Sequence, residues 1–136
     1  MMIHKHLLIK AQVLDPPRSN EFIKEWLTKL VEKIDMVIAA GPISSYVETE
    51  GNLGLTSAVC IQTSHCSLHV WDEVDPPLIQ ADVYSCKEFD IKDALEHFEV
   101  FNIVKMEYIL IDRMKNQIVK RGEVSNANRT KRQLDR

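Results

Sequence analysis

Apolar, β-tolerant residues fill positions 3 to 14, and Asp15, Pro16 and Pro17 close the run, which predicts a first strand. Ser19 or Asn20 can cap the helix that follows. Glu21 suits its first turn, and Phe22, Trp26, Leu30, Val31 and Ile34 recur at helical spacing up to Asp35, so one stripe is expected to be buried. MVIAA at 36–40 is too short for a stable helix, and Gly41-Pro42 ends it, so it reads as a buried strand. ISSYVETEGNLG then carries the turn residues Gly51, Asn52 and Gly54. Residues 55–71 resume a β pattern, which DEVDPP breaks. LIQADVYSC at 78–86 is a further strand. Asp90 caps a second helix whose Ile91, Ala94, Leu95, Phe98 and Phe101 share a face, and IVKMEYILI at 103–111 is expected to be the last strand. No apolar period remains from Glu123 onward. Arg129, Lys131, Arg132 and Arg136 against Glu123 and Asp135 leave 4 − 2 = +2, so 123–136 is expected to be a disordered polar tail after a single domain at 1–122.

Several of these strands follow one another without an intervening helix. That order implies an α+β fold: a two-layer α/β sandwich with a mainly antiparallel sheet and two helices on one face. A chain of 136 residues, 45% hydrophobic, suffices for one core and not for two ordinary domains. A net charge of −3 and a pI near 5.9 give no field to gather nucleic acid or an anionic membrane, which leaves a small-molecule substrate or a protein partner. His4, Lys5, His6, Lys10 and Gln12 interrupt the N-terminal apolar run, so neither a signal peptide nor a membrane span fits and a cytoplasmic location is expected. Three cysteines without a CxxC pair suit single thiols in a reducing compartment.

The stretch TSAVCIQTSHCSLHVWDE, residues 56 to 73, places hydroxyls, thiols and imidazoles in strand sequence. Alternation from Ser64 to Trp71 puts Cys66, Leu68 and Val70 on one face and His65, Ser67, His69 and Trp71 on the other. The second face is either the solvated side of an antiparallel sheet or the wall of a cleft. His65 and His69 lie roughly 13 Å apart in an extended strand, too far to share a metal ion without a bulge. A Ser-His hydrolase would require a nucleophile turn such as GxSxG, which the segment lacks.

TSHCSLHVWDE resembles ESHxxIHTWPE of the bacterial and archaeal S-adenosylmethionine decarboxylase proenzymes, and ADVYSC resembles their VDVFTC. HKHLLI is similar to the family's opening GKHLL, Gly54 and Thr56 fall where it has GVS, and IVKRG at 118–122 resembles its usual ending. The resemblance implies a pyruvoyl enzyme that makes its own cofactor, with no metal and no pyridoxal phosphate. The Ser64 hydroxyl attacks the Thr63 carbonyl, elimination cuts the chain, and the pyruvoyl group left at 64 condenses with the substrate amine as an electron sink. Matched position by position, Ser64 is the pyruvoyl precursor, His69 the histidine assisting elimination, and Cys86 the catalytic acid. A thiol, with a reference pKa of about 8.5, holds a proton at neutral pH and surrenders it readily. Thr56 stands where the family has a processing serine. Trp71 and Glu73 match positions lining the substrate site. Cys60 and Cys66 match no catalytic position and read as strand packing. Family members form dimers, so a homodimer is implied.

Two positions depart from the family. Thr63 replaces a glutamate, and its β-branched side chain is expected to crowd the attack. ETEGNLG replaces HxFxPxG, so the aromatic that stacks on adenine is absent near Glu50, with Tyr46 the nearest substitute. Glu48 or Glu50 could instead meet the cationic tail of ornithine or arginine. The implied activity is S-adenosylmethionine decarboxylation for polyamine synthesis. A diverged decarboxylase of ornithine or arginine and an unprocessed binding or regulatory homologue are the alternatives.

Overall fold

A computed structural model describes residues 3–125. Strand β1 (Lys5–Val13) precedes helix α1 (Asn20–Lys33), and Ser19 caps that helix by accepting the Phe22 N–H at 3.2 Å. The buried stripe of α1 is Ile23, Trp26, Leu27, Leu30 and Val31; Phe22 is exposed. The spacing Ile23–Leu27–Leu30–Ile34 rather than one led by Phe22 therefore faces the sheet.

Strand β2 (Ile38–Val47) does not stop at Gly41-Pro42, contrary to the sequence expectation, and its residues 39 to 41 are exposed. It is an edge strand, where a proline need forgo no hydrogen bond to a neighbour. Its pairing with β3 shifts register between Ile38 and Ile43, and Gly41 at φ 89° takes the turn of this irregularity. Strands β3 (Gly54–Ile61) and β4 (Ser64–Trp71) form a hairpin around Gln62 and Thr63. Strand β5 (Leu78–Ser85) leads to helix α2 (Ile91–His97), capped by Asp90, and to a 3₁₀ turn, Phe98–Phe101.

Strand β6 (Ile103–Asp112) is not the last strand. Asp112 accepts the N–H groups of Met114 and Lys115, the chain reverses, and β7 (Gln117–Ser125) pairs with β6. Eight of its nine residues are exposed, so no alternation marks it in the sequence. Glu123, Val124 and Ser125, assigned above to the tail, belong to β7, and the remainder of that tail lies outside the described residues.

The seven strands run in the order β2-β3-β4-β5-β1-β6-β7, and every neighbouring pair is antiparallel. One sheet face, with Leu7, Ile9, Leu68, Ile79 and Val83, packs on Ile23, Leu27, Leu30, Phe98 and Phe101 of the helical layer. The α+β two-layer sandwich with both helices on one face is thus the observed fold. Trp26 ties the layer together: its Nε1–H donates to the His97 carbonyl at 3.1 Å, and the His97 ring donates back to the Trp26 carbonyl at 2.9 Å. The opposite sheet face carries His6, His65, Ser67, His69, Gln80, Asp82 and Tyr84, with no helix over it among the described residues. No described helix is long and apolar enough to cross a membrane.

Candidate active site

The tight β3–β4 turn makes Ser64 the first residue of β4, opposite both Ile61 and Ser85. Its φ of 141° lies in a region that non-glycine residues seldom occupy. The carbonyl before it does not point into solvent unpaired. Thr63 O accepts the Cys86 backbone N–H at 2.9 Å, because β5 ends beside the turn. Thr63, Ser64 and Cys86, three residues singled out in the sequence, therefore meet at one end of the hairpin. Cys86 itself is half-buried.

Thr56, His69 and Trp71 meet at the other end. Thr56 sits opposite His69 in register, with Oγ1 3.4 Å from Nδ1, and the Trp71 ring lies 6.4 Å from that of His69. Trp71 Nε1–H donates to Asn52 Oδ1 at 3.2 Å, which docks the β2–β3 loop, with its exposed Glu48 and Glu50, beside the strand end. Glu73 is exposed just beyond. Tyr46 is occupied elsewhere: its hydroxyl donates to Asp72 Oδ2 at 2.6 Å, and its ring packs on the core. That hydrogen bond to a carboxylate, with burial and the Asp72 charge, raises the Tyr46 pKa. Five residues of extended chain separate Ser64 from His69, about 16 Å at 3.3 Å per residue. One chain does not bring the histidine to the serine.

A third group, in the middle of the open face, escaped the sequence reading. Asp82 Oδ2 receives His6 Nε2 at 2.7 Å and His65 Nε2 at 2.9 Å, and Ser67 donates to Oδ1. Burial works to raise the Asp82 pKa, but the bonds from His6, Ser67 and His65 outweigh it and hold the carboxyl down at about 2. His65 thus pairs with Asp82 while His69 faces Thr56, so the two histidines of β4 have separate partners. The ligand atoms of His6, His65 and Asp82 lie within 4.8 Å of one another, the spacing of a possible metal site. Arg113, which can only donate, meets His6 Nδ1 at 2.9 Å. That nitrogen is therefore the acceptor, and Nε2 carries a proton toward Asp82 instead of offering a lone pair to an ion. Only the strand order β4-β5-β1 joins these residues; His6 and Asp82 are 76 positions apart.

The remaining thiols differ from each other. Cys66 is buried, which pushes its pKa up to about 12, as expected for strand packing. Cys60, assigned the same role from sequence, is exposed on the edge of the open face. Alternation places it opposite His65, outside the core.

The fold and site define a class: a two-layer α+β domain with histidine, serine and threonine side chains gathered on one antiparallel sheet and a cysteine just beyond the end of β5. The family profile of S-adenosylmethionine decarboxylase matches residues 5–114, and the chain belongs to that family. A crystal structure of the adenosylmethionine decarboxylase from Aquifex aeolicus VF5 is similar in fold, with a TM-score of 0.64 at 23% identity over 82% of this chain and 90% of that one. A phage SAM lyase in complex with S-methyl-5'-thioadenosine aligns with a TM-score of 0.46 at 10% identity, over 90% of each chain. No curated protein sequence matches the chain.

Proposed function

We propose that this chain is a self-processing, pyruvoyl-dependent decarboxylase of S-adenosylmethionine that supplies aminopropyl groups for polyamine (spermidine) synthesis. The observation supporting this most directly is the Thr63 carbonyl, held by the Cys86 N–H at 2.9 Å immediately before a serine at φ 141°. Ser64 Oγ adds to that carbonyl carbon, the C–N bond breaks, and the peptide becomes an ester with a free Ser64 amine. The Cys86 N–H stabilises the charge that develops on the oxygen during the attack. The unfavourable Ser64 conformation, worth about 1–3 kcal/mol, raises the starting peptide toward the ester. Loss of the Ser64 Cα proton then expels the Thr63 carboxylate and leaves dehydroalanine at 64. Water enters and ammonia leaves to give the pyruvoyl group.

The turn suits such a group, since the residue that would form it and the cysteine proposed to act with it are joined there through the Cys86 N–H and the Thr63 carbonyl. Once formed, the group supplies an electron sink for loss of the substrate carboxylate. Cys86 then delivers a proton to the substrate Cα. In our reading the working unit is a homodimer, in which Thr56 and His69 of one copy serve Ser64 of the other, because about 16 Å of strand separates them within a chain. Trp71 packs against an apolar part of the substrate, and Glu73 accepts from its hydroxyls.

A second substrate reading rests on one observation. Tyr46 is tied to Asp72 and does not replace the aromatic missing near Glu50, while Glu48 and Glu50 stand exposed on the loop docked to Trp71. Those acids suit the distal cation of ornithine or arginine. Intact mass measurement decides the processing step: two chains, one ending at Thr63 and one beginning with a blocked residue 64, against a single chain for Ser64→Ala. Carbon dioxide release from S-adenosylmethionine, ornithine, arginine and lysine then decides the substrate. A wild type that stays uncut transfers the chain to the unprocessed, regulatory reading.

A further inference from the structure

The side chain of Thr63 is held as firmly as its carbonyl. Ser85, with no exposed surface, is the last residue of β5, opposite Ser64, and its Oγ lies 3.0 Å from Thr63 Oγ1. The Lys87 N–H donates to the same Ser85 oxygen at 3.0 Å, so the single Ser85 hydroxyl proton is free to point onward. Thr63 Oγ1 is the nearer of its two acceptors, since Met36 Sδ is 3.6 Å away. The Thr63 hydroxyl proton in turn points to Met36 Sδ at 3.4 Å. One directed chain results, from the N–H of exposed Lys87 through Ser85 and Thr63 to buried Met36.

Residue 63 is thus gripped at two points by consecutive residues: its hydroxyl by Ser85 and its carbonyl by Cys86. A carbonyl held alone can still swing with its peptide plane. A β-branched side chain has few χ1 choices, so tying its hydroxyl as well fixes the backbone it hangs from. Both positions are among those at which the chain differs from the motifs it resembles, with Thr63 for the glutamate of ESH and Ser85 for the threonine of VDVFTC.

We infer that Ser85 is a positioning residue for self-cleavage, acting through the Thr63 hydroxyl to present the Thr63 carbonyl to the Cys86 N–H and to Ser64. The inference rests on the processing reading above and adds to it the pair that sets the geometry in this chain.

Chain cleavage should be followed as a first-order time course on freshly purified precursor, for Ser85→Ala, Thr63→Val, the double variant, Ser85→Thr and Thr63→Ser. Ser85→Ala and Thr63→Val should each cleave about 10-fold more slowly, the effect of one buried hydrogen bond expressed in the barrier. The double variant should be no slower than either single one, because both remove the same bond. Ser85→Thr and Thr63→Ser keep the hydroxyls and should remain within about threefold of wild type. Hydroxylamine, which cuts esters, should release no fragment from stalled Ser85→Ala precursor, since the defect precedes the ester. Should Ser85→Ala not fold, Thr63→Val tests the bond from its other end.

A Ser85→Ala precursor cleaving at the wild-type rate overturns the inference. So does a double variant slowed about 100-fold, which marks two independent structural losses. Each of those results leaves the processing reading standing, whereas an uncut wild type removes both together.

Discussion

Replacing Asp82 by asparagine removes the charge that His6, His65 and Ser67 converge on while keeping the shape of the side chain. The carboxyl drops from an ordinary 3.8 to about 2 in the folded protein, and its side chain is only 19% exposed. At 1.36 kcal/mol per pH unit, this corresponds to about 2 kcal/mol of stability. The folded pKa is depressed, so the contribution is complete above the unfolded value and disappears as pH falls through about 2. Roughly half should remain at pH 3. Urea unfolding of Ser64→Ala protein, which avoids mixing cut and uncut chains, with and without Asp82→Asn, measures the difference. The expected gap is about 2 kcal/mol at pH 7, narrowing to about 1 kcal/mol at pH 3. A gap below about 0.5 kcal/mol at pH 7, or one unchanged down to pH 3, would refute the claim that the histidine bonds hold this carboxylate ionised.

Cys86→Ala retains the backbone N–H that meets Thr63 O, so the chain should still be cut, while decarboxylation falls by about 10²- to 10⁴-fold as protonation is lost. Normal turnover in a fully processed Cys86→Ala enzyme would take the thiol out of the mechanism. His69→Ala alone should stay largely uncut, and co-refolding it with Ser64→Ala should restore cleavage of the His69→Ala chains, because each mixed dimer holds one complete site. Failure of the mixture to cleave, with mixed dimers demonstrated by mass, would sink the shared site.

Local pattern carries a good deal of this protein. The caps at Ser19 and Asp90, the two helices, the strands on either side of the reactive turn and the alternation that buries Cys66, Leu68 and Val70 all depend on neighbours a few residues apart. The motif resemblance likewise singled out Thr63, Ser64 and Cys86, which the fold brings together. Edges were harder to read. Strand β2 passes through Gly41-Pro42, and β7 exposes nearly every side chain, because an edge strand draws its place from one neighbour and needs no buried face of its own.

Tertiary structure decided the rest by strand order and register. Pairing β4 with β5 and β5 with β1 assembles His6, His65, Ser67 and Asp82 across the sheet, and ending β5 at the hairpin turn sets Ser85 and Cys86 on the side chain and carbonyl of Thr63. The same straight strand that keeps Ser64 and His69 close in sequence holds them about 16 Å apart in space. Hydrogen bonds across a sheet connect residues dozens of positions apart, and a linear pattern contains no term for which strand lies next to which.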